Sequence, residues 1–175
     1  MKVELKSPTY EEKEVLKNLL ELYLYELSCY SEQIELNKFG LYGYRYLDHY
    51  WTDEDRQAFL IFSEDNLAGL ALVRKFDYSG NDKDYRWLMS EFFFVLRKYQ
   101  NKGIGRLAAH QLFSRFSGPW IVPQMENNIP SRRFWEKVIY EYTSGEYKQS
   151  KLGNQPAQEF IFEGNVTGNE SRYII

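Results

Sequence analysis

The chain has 175 residues, 43% of them hydrophobic and 27% charged, with a formal net charge of −3 at pH 7. That length and apolar content suit one globular domain with a core of its own, and the slightly acidic balance argues against a nucleic-acid partner. A single cysteine, Cys29, and two histidines exclude a disulfide framework and a Cys-rich metal site, so no metal is expected. In chain order, Val3 and Leu5 alternate with charged residues and predict a short strand. Thr9-Tyr10-Glu11-Glu12 has the form of a capping box. After it, Leu16, Leu19, Leu20, Tyr23 and Leu27 recur at helical spacing and predict a long helix. Residues 28–55 show no clean period. Arg56–Phe62 and Leu67–Lys75 read as a hairpin around Ser63-Glu64-Asp65-Asn66.

Residues 77–84 read as a polar loop and Tyr85–Arg97 as a long strand. A second good helix is expected over 103–116, where Ile104, Leu107, Ala108, Leu112 and Phe116 share a face; Ser117-Gly118-Pro119 ends it. Trp120–Val122 predicts a short strand, and Asn128-Ile129-Pro130-Ser131 starts a further helix with Asn128 as its cap. Phe134, Val138 and Ile139 would face inward. Tyr140–Tyr147 and Ala157–Phe162 read as closing strands around a Gly/Asn loop at 152–156. The expectation is a single domain spanning 1–175, with 164–175 as a C-terminal tail. No stretch is long enough to span a bilayer and the first residues hold no apolar signal core, so a cytoplasmic protein without a membrane partner is expected.

The run Glu91-Phe92-Phe93-Phe94-Val95-Leu96-Arg97-Lys98-Tyr99-Gln100-Asn101-Lys102-Gly103-Ile104-Gly105-Arg106 says most about function. A strand, a glycine-bearing basic turn and a helix N-terminus together form an anion site, because free backbone N–H groups and the helix dipole converge there. Gly103 and Gly105 let a phosphate approach the backbone closely. Arg97, Lys98, Lys102 and Arg106 surround the turn with positive charge. Gly-x-Gly alone is weak evidence, and an ordinary strand–helix turn would explain it. A P-loop is excluded because no Gly-x-x-x-x-Gly-Lys-(Ser/Thr) occurs, and a dinucleotide turn lacks its third glycine.

The order of elements carries more. Gln100-Asn101-Lys102-Gly103-Ile104-Gly105 matches (Gln or Arg)-x-x-Gly-x-(Gly or Ala), and Asn128, Ser131, Phe134 and Trp135 match Asn-x-x-(small)-x-x-apolar-aromatic about 25 residues later. With these two patterns in this order, the chain resembles the GNAT superfamily of acyl-CoA-dependent N-acetyltransferases. The resemblance implies a mixed α/β (α+β) domain: a twisted, mixed, mostly antiparallel sheet with helices on both faces. It implies acetyl-CoA as co-substrate and direct attack by a primary amine in a ternary complex. The amides and cations of Asn101, Lys102, Gly103, Ile104, Gly105 and Arg106 would hold the pyrophosphate, with Lys102 or Arg106 as its ion partner. Val95, Leu96 and Arg97 would lie beside the pantetheine arm, the Val95 N–H would hold the oxyanion, and Asn128 would bond the pantetheine amides.

Glu91 is the one titratable side chain in the strand run before the turn, and simple alternation places it on the face of Phe93 and Val95. At about 3.3 Å per residue it stands roughly 13 Å from Val95, which suits a general base acting through water. A strand-end structural carboxylate paired with Arg86 or another cation is the competing reading. The family's usual acid position, seven residues after Asn128, holds Trp135, and indole cannot give a proton at pH 7. Tyr140, Tyr142 or water would then protonate the thiolate. His49 and His110 read as surface or helix-face residues, and Cys29 as an apolar filler. The alternative to an enzyme is a non-catalytic acyl-CoA-binding or regulatory module on the same fold. The acceptor, a small-molecule or peptide amine, should meet residues 28–55, and either a monomer or a homodimer is compatible with the sequence.

Overall fold

The computed structural model describes residues 1–76 and 87–162, with the backbone alone at 87–91. The expected loop at 77–84 and tail at 164–175 lie outside the described residues. The elements are β1 (Val3–Lys6), α1 (Lys13–Ser28), α2 (His49–Thr52), β2 (Arg56–Ser63), β3 (Asn66–Phe76), β4 (Trp87–Val95), α3 (Ile104–Arg115), β5 (Gly118–Pro123), α4 (Ile129–Thr143), β6 (Lys148–Leu152) and β7 (Gln155–Phe162). Short 3-10 turns at Tyr10–Glu12 and Arg97–Tyr99 lead into α1 and out of β4.

The capping box forms as the sequence predicts: the Thr9 N–H donates to Glu12 Oε2 at 2.8 Å. Seven strands make one sheet in the order β1-β2-β3-β4-β5-β7-β6. Its pairs are antiparallel except β4–β5, which is parallel. Helices cover both faces. Alternate residues of β2 and β3 therefore go to two cores: Phe59, Ile61, Ala71 and Val73 pack with Ile104, Leu112, Phe113 and Val138 of α3 and α4. Ala58, Leu60, Leu70 and Leu72 pack with Leu16, Leu19 and Leu20 of α1 and Tyr50 of α2. A sheet covered on both sides reads as near-continuous apolar runs, as these strands do. Each buried leucine of α1 contributes about 1.5–3 kcal/mol on leaving water.

Two expectations are corrected. Tyr140–Thr143 is not strand but the last turn of α4, which ends where Ser144 takes φ 54° and the Gly145 N–H donates to the Tyr140 carbonyl at 2.9 Å. Cys29 is not a core filler; it is exposed just past α1, with its Sγ on the Glu26 carbonyl at 3.1 Å.

Candidate active site

β4 and β5 are paired at two positions only, Leu88↔Trp120 and Met89↔Ile121. Beyond these the strands separate. β5 stays paired to β7 as far as Pro123, and β4 stays paired to β3 as far as Val95. The edge of β4 that faces β5 is thus open along its last residues. The Leu96 N–H turns the other way, to the Ala68 carbonyl at 2.8 Å, so Val95 and Phe93 present their backbone groups to the opening.

A cleft fills the separation in two contiguous parts, of about 670 and 590 Å³. Phe93, Gln100, Asn101, Ser131 and Trp135 border both parts. The smaller part runs past Gly103, Gly105 and Arg106 at the start of α3. The larger is walled by Tyr23, Glu26 and Tyr30 of α1 and its end, and by Gln124 and Asn128 after β5.

The glycine turn is built as an anion site requires. Gly103 caps α3 with φ 79°, and Asn101 is also left-handed at φ 57°. The first N–H that α3 uses internally is that of Leu107, bonded to the Gly103 carbonyl at 3.0 Å, so the amides before it are free of helical bonds. A Cβ on Gly105 would stand 3.2 Å from the Phe134 ring, which explains a glycine where α3 and α4 meet under the cleft. Gln100 folds back, its Nε2 donating to the Val95 carbonyl at 2.8 Å and tying the turn to the end of β4.

β4 carries a bulge. Leu72 pairs with Phe92 and Val73 with Ser90, so Glu91 is the extra residue with no partner on β3. Bulges re-aim side chains and favour positions beside active sites. Alternation holds from Val95 back to Phe93, both against the α3/α4 core, while Phe92 and Phe94 face α1. It cannot be counted through the bulge to Glu91, as simple strand geometry assumed.

A family model, Acetyltransferase (GNAT) family, matches residues 19–139. The chain belongs to the GNAT acetyltransferase family. Solved structures agree on the fold. A GNAT-family acetyltransferase from Streptococcus agalactiae has a TM-score of 0.70 at 15% identity, covering 92% of this chain and 96% of that one. An acetyltransferase from Thermus thermophilus has a TM-score of 0.64 at 16% identity, covering 91% and 95%. The PaiA N-acetyltransferase from Thermoplasma acidophilum, solved in complex with coenzyme A, has a TM-score of 0.57 at 13% identity, covering 93% and 100%. No curated protein sequence matches the chain. Among the described residues no helix is long and apolar enough to cross a membrane, and no group of His, Cys, Asp and Glu is placed to hold a metal ion.

Most of the candidate residues of this GNAT chain converge on the cleft: Val95, Arg97, Asn101, Gly103, Gly105, Arg106 and Asn128 border it. Ile104 instead enters the core beneath the turn, and Lys102 is exposed at its outer side. The Leu96 amide is spent on β3. Arg97 opens a 3-10 turn, and its carbonyl accepts from the Gln100 N–H at 3.2 Å, so an extended ladder along the strand stops before it. Its guanidinium grips Glu26 of α1 through two bonds, 2.5 and 3.0 Å, which hold it well charged. Arg106 has its Nε 3.9 Å from Glu141. Asn128 accepts the Ser131 N–H at 3.1 Å through Oδ1, leaving its Nδ2 as the donor it can offer a ligand.

Tyr140 and Tyr142 stand apart from the cleft. Tyr140 is 59% exposed on the outer side of α4. The Tyr142 hydroxyl meets Ser114 Oγ at 3.0 Å, and its ring packs on Phe113 and Phe160 behind the sheet. Trp135 is buried, edge-on to Phe93 at 4.9 Å between ring centres.

Several cleft residues went unseen in the sequence, Tyr23 and Gln124 among them. Tyr23 reads there as one more apolar position of α1. Its ring packs on Phe92 and Phe94, and its hydroxyl is hydrogen-bonded to the Phe93 backbone; burial pushes the phenol well above its ordinary range, against that bond. Gln124 carries no motif at all; only its place just after β5 could have flagged it.

Proposed function

We propose that the chain transfers an acetyl group from acetyl-CoA to a primary amine, by direct attack within a ternary complex. The observation that carries this reading is the opening between β4 and β5, into which the free N-terminus of α3 points from one end. The smaller part of the cleft suits an extended arm with a pyrophosphate at the α3 turn, and the coenzyme A complex of the Thermoplasma acidophilum relative supports that choice. The larger part takes the acceptor.

Each residue then has a task. The Val95 N–H, on the open edge, donates to the thioester oxygen as negative charge gathers there. The amine nitrogen attacks the carbonyl carbon, and the C–S bond breaks. Glu91, at the bulge, takes the amine's surplus proton through water. The thiolate takes a proton from solvent. Tyr23 does not supply it: a phenol pushed upward by burial keeps its proton and offers a hydrogen bond instead.

Two measurements test this. Acetyl-CoA should raise the melting temperature, since a ligand held only by the folded state stabilises it by about 2.7 kcal/mol at a hundredfold over Kd. Thiol release from acetyl-CoA should appear with at least one primary amine of a broad panel. A melt shifted by ATP and not by acetyl-CoA would overturn the cofactor. A shift by acetyl-CoA without thiol release from any amine would make the protein a binding module.

A further inference from the structure

We infer that Gln124 receives the acceptor amine: its side-chain oxygen takes an N–H of the attacking nitrogen, while the amine's apolar stem lies along Tyr23, Tyr30 and Phe92. This rests on the acetyl-transfer reading above. Gln124 is only 4% exposed, yet borders the larger part of the cleft and not the smaller one. Its backbone is pinned by the N–H bond to the Pro156 carbonyl at 2.9 Å. Its amide orientation is fixed as well. Nε2 donates to the Val122 carbonyl and to Gln158 Oε1 at 2.8 Å. Gln158 cannot flip to reverse that bond without losing its own, from Nε2 to Gln149 Oε1 at 3.2 Å. A flipped Gln124 would set two oxygens against each other at Val122.

With the nitrogen committed twice, Oε1 is buried and has no partner among the described residues. A buried acceptor left unmatched is costly, and proteins retain such groups where a ligand completes them. Gln124 shares the larger part of the cleft with Phe92 and Phe93 of β4. The Val95 amide is two residues further on, about 7 Å. A nitrogen bonded to Gln124 would approach a carbonyl carbon held at Val95 from the larger part of the cleft, which adjoins the smaller at Phe93. An amide oxygen accepts hydrogen and gives none, so it selects N–H over an ether or carbonyl oxygen.

The stem follows from what lines the same space. Tyr23, Tyr30 and Phe92 are aromatic. Glu26 is the one carboxylate among the described residues there, and Arg97 already engages it. Among the described residues, Asn101, Asn128, Ser131 and Gln155 add neutral polar groups to the lining but no second negative charge, so the space suits a singly charged arylalkyl amine better than a polycation.

The test uses thiol release from acetyl-CoA with two probes, phenethylamine and spermidine, on the wild type, Gln124→Met and Gln158→Met. Phenethylamine should give a kcat/KM at least tenfold above spermidine. Gln124→Met, which keeps length and removes the oxygen, should lower kcat/KM for phenethylamine about 10- to 100-fold with the acetyl-CoA KM within twofold. Gln158→Met, outside the cleft, frees the Gln124 amide to turn and should lower it about threefold to tenfold. It decides the matter should Gln124→Met fail to fold, as judged by its acetyl-CoA melt shift. Unchanged kcat/KM in the folded variants, or an acetyl-CoA KM that rises in parallel, overturns the role of Gln124. Faster turnover of spermidine, or no thiol release with phenethylamine, overturns the apolar stem while the acetyl-CoA melt shift still stands.

Discussion

Glu91 is the unpaired residue between two paired stretches of β4 and β3, and that position changes how its role is tested. Because the bulge leaves it unpaired, Glu91→Gln alters no ladder bond and should leave folding and acetyl-CoA affinity intact. Loss of the proposed general base should lower kcat by roughly 10²–10⁴-fold. The wild-type rate should rise with pH through one ionisation that the variant lacks; equal profiles would return Glu91 to a structural carboxylate. Tyr23 makes the opposite prediction. Its pKa is raised from 10.0, so the phenol is neutral throughout the working range and adds no limb to the rate profile. Tyr23→Phe should lower kcat only threefold to tenfold, with an unchanged pH profile. The sign for stability follows from the same shift. The folded state holds the proton more tightly than the unfolded one, so this contribution is full below pH 10 and is lost as pH rises beyond it. The stability difference between wild type and Tyr23→Phe, followed by urea melts, should be flat to pH 10 and shrink above. Trp135 is a packing residue here, wedged against Phe93, Phe134 and Phe113. Trp135→Phe should cost about 1–3 kcal/mol, divided between stability and cofactor affinity.

At the scale of elements, the turn into α3 shows why its glycine was legible. Gly103 sits at φ 79°, where a β-branched side chain costs about 1–2 kcal/mol or more from backbone strain. Gly103→Val should therefore lose the acetyl-CoA melt shift and a few degrees of intrinsic melting temperature together. Gly69 is tighter still, though no motif marks it: a Cβ there would lie 2.0 Å from the Phe94 carbonyl oxygen, so Gly69→Ala must push β3 from β4 beside the cleft. Elements defined by period and caps were readable. Leu16, Leu19 and Leu20 announced α1, and Asn128 with Pro130 announced α4. The end of α4 was misread because Ile139, Tyr140 and Tyr142 favour strands by composition. Burying Val138 and Ile139 against α3 outweighs that preference, and the stop signal was Ser144-Gly145 instead. The bulge at Glu91 had no local sign, since it is set by the register between β3 and β4 and not by either strand alone.

Across the whole molecule, the cleft exists because one sheet is asked to pair two ways. β4 is antiparallel to β3 and briefly parallel to β5, while β5 is held by β7. Two motifs sufficed to mark the turn that borders the smaller part of the cleft, because a helix N-terminus with glycines is a local device. The larger part was hardly legible: Tyr30 lies in the 28–55 segment expected to meet the acceptor, but Tyr23, Glu26 and Gln124 come from two segments that only the fold brings together. The end of α1 links both banks of that opening. Glu26 grips Arg97 at the end of β4, and the Tyr30 carbonyl accepts Asn127 Nδ2 at 2.9 Å on the β5 side. Both contacts are at the rim, and an exposed ion pair contributes about 0–1 kcal/mol, so neither holds the fold together. Their effect belongs to the width of the opening. Glu26→Gln should leave the melting temperature within about 2 °C of wild type, as expected for a loss under 1 kcal/mol in a chain of this size. It should raise KM for the amine severalfold and leave KM for acetyl-CoA unchanged, because Glu26 borders only the larger part, the one proposed for the acceptor. A rise in both constants would mean that α1 shapes the cofactor groove as well. A large fall in melting temperature would make the Glu26–Arg97 pair a structural strut.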